Sequence, residues 1–287
     1  MANHTNFRRM GRQVLLYLAV LIIIFWTVAP YLWLIISSFS YRIDLLQVPL
    51  RWIPARVTLD NYYELFFSRG GTNANASLFL RALGNSGVIA SSTTLICLLL
   101  GVLSAYALSR LKFPGSRVYM VLMLIVQMIP PIAIIIPLYV ILRRFELLDT
   151  RYGLILVYLS FILPLVVWLM RSYFGAIPSE LEDAARIDGC TRLGALFRII
   201  LPLSGPGLVS VAVFAFIAAW NEYLYAFVLT TAAAKTLPVL VGEFSTKLGL
   251  EYLRIAAAGV LASLPPVILA LVFQRFIIRG LTAGAVK

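Results

Sequence analysis

Six runs of more than twenty predominantly apolar residues limit the fold of this chain more than any other feature. They cover residues 14–36, 86–109, 118–142, 153–174, 205–231 and 256–278. A helix rises about 1.5 Å per residue and the hydrocarbon core of a bilayer is about 30 Å thick, so roughly 20 apolar residues suffice to cross it. In hydrocarbon every backbone N–H and C=O needs a partner within the protein, and a helix supplies them all locally. The expected fold class is therefore an all-α integral membrane protein with six transmembrane helices. A composition of 61% hydrophobic and 13% charged residues agrees, since soluble domains carry about twice that charged fraction. Arg8, Arg9 and Arg12 precede the first run as in a signal peptide. That run is too long and lacks a small-residue cleavage site, so it is expected to remain as an anchor.

A net charge of +12 would point a soluble protein toward nucleic acid. Here the cations lie between apolar runs, which makes them a topology signal and leaves membrane lipid, not nucleic acid, as the surrounding partner. With six crossings both termini face one side. That side holds thirteen of the 24 cations, and four of the other eleven fall in the long first loop, where charge counts less; the termini are expected to be cytoplasmic. The loop over 37–80 carries Asp44, Arg51, Asp60, Glu64 and Arg69 among scattered aromatics and reads as a small external cap. Pro130, Pro131 and Pro137 remove backbone donors inside the third run and predict a kinked helix. A packing role and a gating role are equally open there and at Pro265–Pro266.

The residue inventory restricts chemistry. One histidine, His4, and two distant cysteines, Cys97 and Cys190, give no support for a triad, a zinc site or a disulfide framework. An intramembrane enzyme needs a nucleophile and a base at depth, and the runs hold no lysine and a single acid. No catalytic residue, metal ligand or bound cofactor is expected.

Between the fourth and fifth runs, Ser179 with Glu182 has the form of a capping box, and Gly189 suits the left-handed turn that ends a helix. Thr191 can cap a second helix. In it Leu193, Leu196, Phe197, Ile200 and Leu201 follow the spacing of one apolar face, with Pro202 as its stop. The product is two short helices joined at a glycine turn. On physical grounds alone, a hairpin resting on the membrane surface with its acids in water explains it.

The stretch Asp183-Ala184-Ala185-Arg186-Ile187-Asp188-Gly189, followed by Phe197 and Leu201-Pro202, resembles the EAA loop of ABC importer permeases. Asp183 stands where that family usually has Glu. Further pieces resemble its carbohydrate-uptake branch, the relatives of the maltose permease pair. They include Thr58-Leu59-Asp60-Asn61-Tyr62, Asn85-Ser86, Ala105-Tyr106-Ala107-Leu108-Ser109-Arg110 and Trp220-Asn221-Glu222-Tyr223. The tail from Arg279 to Lys287 points to the smaller, maltose-permease-G-like member. The resemblance implies a type I importer fold with an N-terminal part (1–80), a core permease domain (81–278) holding a coupling loop (176–203), and a C-terminal tail (279–287). It implies that Glu182, Asp183, Ala184, Ala185, Asp188, Gly189, Phe197 and Pro202 couple to an ATPase, and that Gly280, Leu281, Thr282, Ala283 and Gly284 reach between ATPase subunits. It also implies the partners: a second permease, two ATP-binding subunits and an extracytoplasmic sugar-binding protein in a bacterial or archaeal inner membrane.

The four lysines follow Leu, Ala, Thr and Val, so none completes a G-x-x-x-x-G-K-[ST] phosphate loop. If transport uses ATP and Mg, both bind on partner subunits. Glu222 is the single acid within the runs, and an ionisable group at that depth is costly unless it serves a function or is paired. With Trp220, Asn221 and Tyr223 it offers the aromatic faces and hydrogen-bonding groups that sugars need, which makes these four residues candidates for the translocation path. A structural pairing of Glu222 is the competing reading. The alternative functional class is an ion-coupled secondary transporter, for which one intramembrane acid and no visible internal repeat are a poor endowment.

Overall fold

The computed structural model describes residues 2–48, 51–54, 56–67, 74–111, 113–244 and 252–282, and among them every regular element is helical. In chain order these are α1 (Ala2–Ser38), α2 (Arg42–Leu46), α3 (Asp60–Phe66), α4 (Ala74–Arg110), α5 (Ser116–Met128), α6 (Pro131–Arg144) and α7 (Arg151–Ala176). There follow α8 (Ser179–Ile187), α9 (Arg192–Ala195), a π-helical turn (Leu196–Ile200), α10 (Leu201–Leu203), α11 (Gly205–Trp220), α12 (Leu224–Leu229), α13 (Leu237–Phe244) and α14 (Tyr252–Thr282). Four segments are long and apolar enough to cross a bilayer singly: Met10–Ser38, Ala76–Arg110, Arg151–Ala176 and Tyr252–Ile278. Two bent pairs bring the candidate spans to six, which matches the expected number.

The first pair is the kink expected of the third run, whereas the expected continuous fifth helix is broken after Trp220. α5 and α6 meet at 97°. Each residue before a proline avoids the helical region, so consecutive prolines hold Ile129 (ψ 122°) and Pro130 (ψ 130°) extended, while Pro131 opens α6, where its missing N–H costs nothing. Pro137, Pro265 and Pro266 lie inside helices that continue past them. The expected fifth helix, 205–231, ends at Trp220 and resumes as α12. The break arises because the Glu222 side chain takes the N–H groups of Tyr225 and Ala226, so they have no need of helical carbonyls.

The chain divides into two compact units. The first comprises Met1–Ala76 and Val241–Leu261. Its α1 leaves most apolar side chains from Val14 to Trp26 exposed, as a lipid-facing helix should. The loop after α1 is tied back to it: the Asn61 amide donates to the carbonyls of Ser38 (2.9 Å) and Ser40 (3.1 Å), and Tyr62 pairs with the Ser38 hydroxyl at 2.7 Å. Arg254 closes on Glu64 at 2.8 Å. These bonds give the Thr58–Tyr62 motif its use.

The second unit, Ser77–Leu240 with Ala262–Lys287, contains the larger core. α7 lies at its centre, with Tyr158, Ile162, Val166, Met170 and Phe174 fully buried against α5 and α11. α4 approaches α7 closely at Gly101, where a β-carbon would stand 2.6 Å from a Val166 methyl; glycine lets the backbones meet without hydrophobic drive from water.

Candidate functional site

The loop after α7 forms the expected two-helix hairpin, and local chemistry explains each turn. Ile177 and Pro178 are extended, and Pro178 rather than Ser179 occupies the N-cap of α8 without a side-chain cap bond. The expected capping box is therefore not formed, and Glu182 is free to turn inward. Glu180 and Glu182 in the first turn suit the positive end of the helix. At the other end the Gly189 N–H reaches the Arg186 carbonyl (3.1 Å) and the Cys190 N–H reaches that of Ala185 (2.9 Å). This is a Schellman closure, which needs the positive φ of Gly189, 88°. Thr191 caps α9 as expected, accepting from the Gly194 N–H at 3.1 Å. The stop expected at Pro202 falls two residues later, at Ser204, where the chain bends by 81° into α11.

The apolar face expected on the second helix is divided. Leu196 and Ile200 are fully buried, whereas Leu193 and Phe197 are exposed. The π-helical turn supplies the reason: the Leu201 N–H bonds back to Leu196, one residue farther than in an α-helix, so the side-chain register rotates. Leu181, Ile187, Leu193 and Phe197 thus present apolar groups beside exposed Asp183, Ala184, Asp188, Gly189 and Pro202.

Beneath that surface lies a buried polar cluster. Only Glu182 and Ala185 of α8 are buried, Glu182 being 8% exposed. The Tyr106 hydroxyl donates to Glu182 Oε1 and lies 3.2 Å from the Arg192 carbonyl. Arg110 Nε stands 3.3 Å from Glu182 Oε2, an ion pair without hydrogen-bond alignment. Arg110 Nη2 donates to the carbonyls of Phe174 (3.0 Å) and Ile177 (2.7 Å), which close α7. Tyr106 and Arg110 belong to the Ala105–Arg110 stretch at the end of α4. Their i, i+4 spacing, which places them on one helix face at the end of an apolar run, was the available signal.

At the second candidate site both oxygens of Glu222 are engaged within the chain. Tyr158 donates to Oε2 at 2.7 Å, and the N–H groups of Tyr225 (2.8 Å) and Ala226 (3.1 Å) complete the set. Trp220, 4% exposed, donates from Nε1 to the Ala262 carbonyl at 2.9 Å and stacks on Phe216. Asn221 and Tyr223 are exposed, and Tyr223 stacks on Phe227 at 5.5 Å. In the tail, helix α14 runs through Gly280, Leu281 and Thr282, while Ala283 and Gly284 lie outside the described residues.

A third cluster was not anticipated. Asp149 accepts from the N–H groups of Thr231, Ala232, Ala233 and Ala234 at 2.9–3.2 Å and from the Thr231 hydroxyl at 2.9 Å. Asn85, oriented by Arg151 (2.7 Å), donates to the carbonyls of Ala233 (2.9 Å) and Lys235 (2.8 Å), so the segment after α12 is held from both sides.

Residues 97–283 match the sequence profile of the family described as binding-protein-dependent transport system inner membrane component, a stretch that includes the hairpin, its buried cluster and both other clusters except Asn85. The chain belongs to this permease family. The permease is 41% identical over 283 residues to the trehalose transport system permease protein SugB of Mycobacterium tuberculosis, which covers 97% of this chain and 100% of SugB. It is 36% identical to the trehalose/maltose transport system permease protein MalG of Thermococcus litoralis, over 96% of this chain and 97% of MalG. The crystal structure of a bacterial ABC transporter involved in the import of the acidic polysaccharide alginate superimposes with a TM-score of 0.75 at 25% identity, covering 93% of this chain and 97% of that one. The permease is a multi-pass inner-membrane transport protein with the type I ABC importer fold, and not an enzyme.

Proposed function

We propose that the permease forms half of the translocation pore of an ATP-driven carbohydrate importer and that α8 and α9 are the part pushed by its ATPase. The observation that carries this reading is the hairpin: it presents Leu181, Ile187, Leu193 and Phe197 to solvent beside the exposed Asp183 and Asp188. A solvent-facing hairpin with that many uncovered apolar groups is a docking surface in search of a partner. Asp183, in the first half of α8, adds a carboxylate able to accept a charge-assisted hydrogen bond. The partners are a second permease, two ATP-binding subunits that hold ATP and Mg, and an extracytoplasmic binding protein that delivers sugar. The termini and hairpin face the cytoplasm, and the Asp149-held segment faces outside. The trehalose and maltose named for its relatives support a di- or oligosaccharide cargo. Of the four path candidates, Asn221 and Tyr223 line the path, while Trp220 and Glu222 hold the broken helix in shape. The C-terminal segment that follows α14 reaches between the ATPase subunits.

Co-purification of the assembled complex with Asp183→Lys and Gly189→Leu variants tests the assignment. The expected result is normal membrane insertion and pairing with the second permease, weakened association with the ATPase, and loss of sugar uptake. Wild-type ATPase association and uptake in both variants would remove the hairpin from the coupling role.

A further inference from the structure

The helix α8 is nine residues long, too short to be stable alone, and it is linked to α7 by extended Ile177 and Pro178 and to α9 by the turn at Gly189. Apolar packing does little to hold it, since Ala185 is its one buried hydrophobic residue. A push on such an element would be absorbed by the two flanking turns unless something stiffens the joint. The buried cluster does this. Glu182, on α8, lies between the Tyr106 hydroxyl and the Arg110 guanidinium, both on α4. Arg110 at the same time grips the carbonyls of Phe174 and Ile177 at the end of α7. The Tyr106 hydroxyl also meets the carbonyl of Arg192, at the start of α9. Four elements are thus linked through one carboxylate and its two α4 partners, shielded from water, where polar contacts are stronger and harder to exchange than at a surface.

We propose that Tyr106, Arg110 and Glu182 are positioning residues forming a transmission joint, which locks α8 to the ends of α4 and α7 so that displacement of α8 moves the membrane spans. The proposal rests on the coupling role assigned to the hairpin. It gives two adjacent acids different roles, with Asp183 facing the ATPase and Glu182 facing the spans. A residue of only structural importance would lower the amount of folded complex. A transmission residue lowers the sugar moved per ATP hydrolysed.

The test uses the complete reconstituted complex with Tyr106→Phe, Glu182→Gln and Arg110→Lys, each close in shape to the residue replaced. Expected are near-normal ATPase association, continued ATP hydrolysis, and a fall of about tenfold or more in sugar transported per ATP. The Tyr106→Phe/Glu182→Gln double variant should be no worse than the poorer single one, because both break the same joint. Spin labels at exposed Glu180 on α8 and Leu95 on α4 give a second readout that does not require transport. Their separation should stay constant between nucleotide-free and ATP-bound complexes in the wild type and vary in the variants. An unchanged sugar-to-ATP ratio in all three single variants, or a wild-type label distance that changes with nucleotide, overturns the joint while leaving the coupling surface in place. A wild-type chain that binds no ATPase overturns both.

Discussion

Asp149 adopts a φ of 54°, a conformation that costs most L-residues about 1–2 kcal/mol and that Asp and Asn tolerate best. Burial pushes its carboxyl up, but the N–H groups of Ala233, Ala234 and Thr231, with the Thr231 hydroxyl, outweigh that effect and hold it at about 2. A folded value below the ordinary 3.8 means that the charged form is the one the fold favours. This contribution is complete above the ordinary carboxylate range and disappears as pH falls from about 4 through 2. Asp149→Asn keeps the backbone conformation and removes the charge. It is expected to weaken the hold on residues 231–234 by about 1 kcal/mol, roughly a fivefold rise in local opening, read as faster amide exchange at Ala233 and Ala234 near neutral pH. The wild type should show constant protection at these amides from pH 5 to 8 once intrinsic rates are removed. The sequence offered no sign of this cluster, because its partners lie more than eighty residues apart and Asp149 itself sits in an ordinary polar turn. Glu222 was visible as the lone acid in an apolar run, but its partner Tyr158, 64 residues away, was not.

At the level of elements, the hairpin was legible because its signals are local: a glycine with positive φ, a threonine cap, acids in the first turn and a base in the last. Those same signals yield a graded expectation. Gly189→Asn, which tolerates positive φ, should keep ATPase association within about twofold of wild type. Gly189→Leu adds about 1–2 kcal/mol of backbone strain as well as bulk, and should lower the co-purified ATPase much further. Equal loss in the two variants would point to side-chain contact at Gly189 instead of its conformation. The broken spans were less legible. An apolar run reports burial in lipid but not continuity, and helix α11 ends where one carboxylate outcompetes helical carbonyls for two N–H groups. The prolines at 130 and 131 announced a disturbance, while its size, 97°, depends on both residues before them leaving the helical region together.

For the whole molecule, the proposed membrane orientation rests on a small excess of cations on the terminal side and is open to direct measurement. In a Cys97→Ala/Cys190→Ala background, a cysteine at Val48, 97% exposed, should react with an impermeant thiol reagent from outside the cell, and one at Ile187, 86% exposed, should react only after the membrane is opened. The reversed pattern would invert the topology and place the hairpin on the wrong side for an ATPase. In the proposed function, sugar movement through this permease is driven by ATP hydrolysed on partner subunits. The most direct measurement is uptake of labelled trehalose or maltose into proteoliposomes holding the reconstituted complex, with ATP and Mg enclosed and the sugar-binding protein outside. The expected result is uptake that requires ATP and the binding protein and continues after every ion gradient is collapsed. Uptake by this chain alone, driven by an ion gradient without the ATPase subunits, would contradict the account.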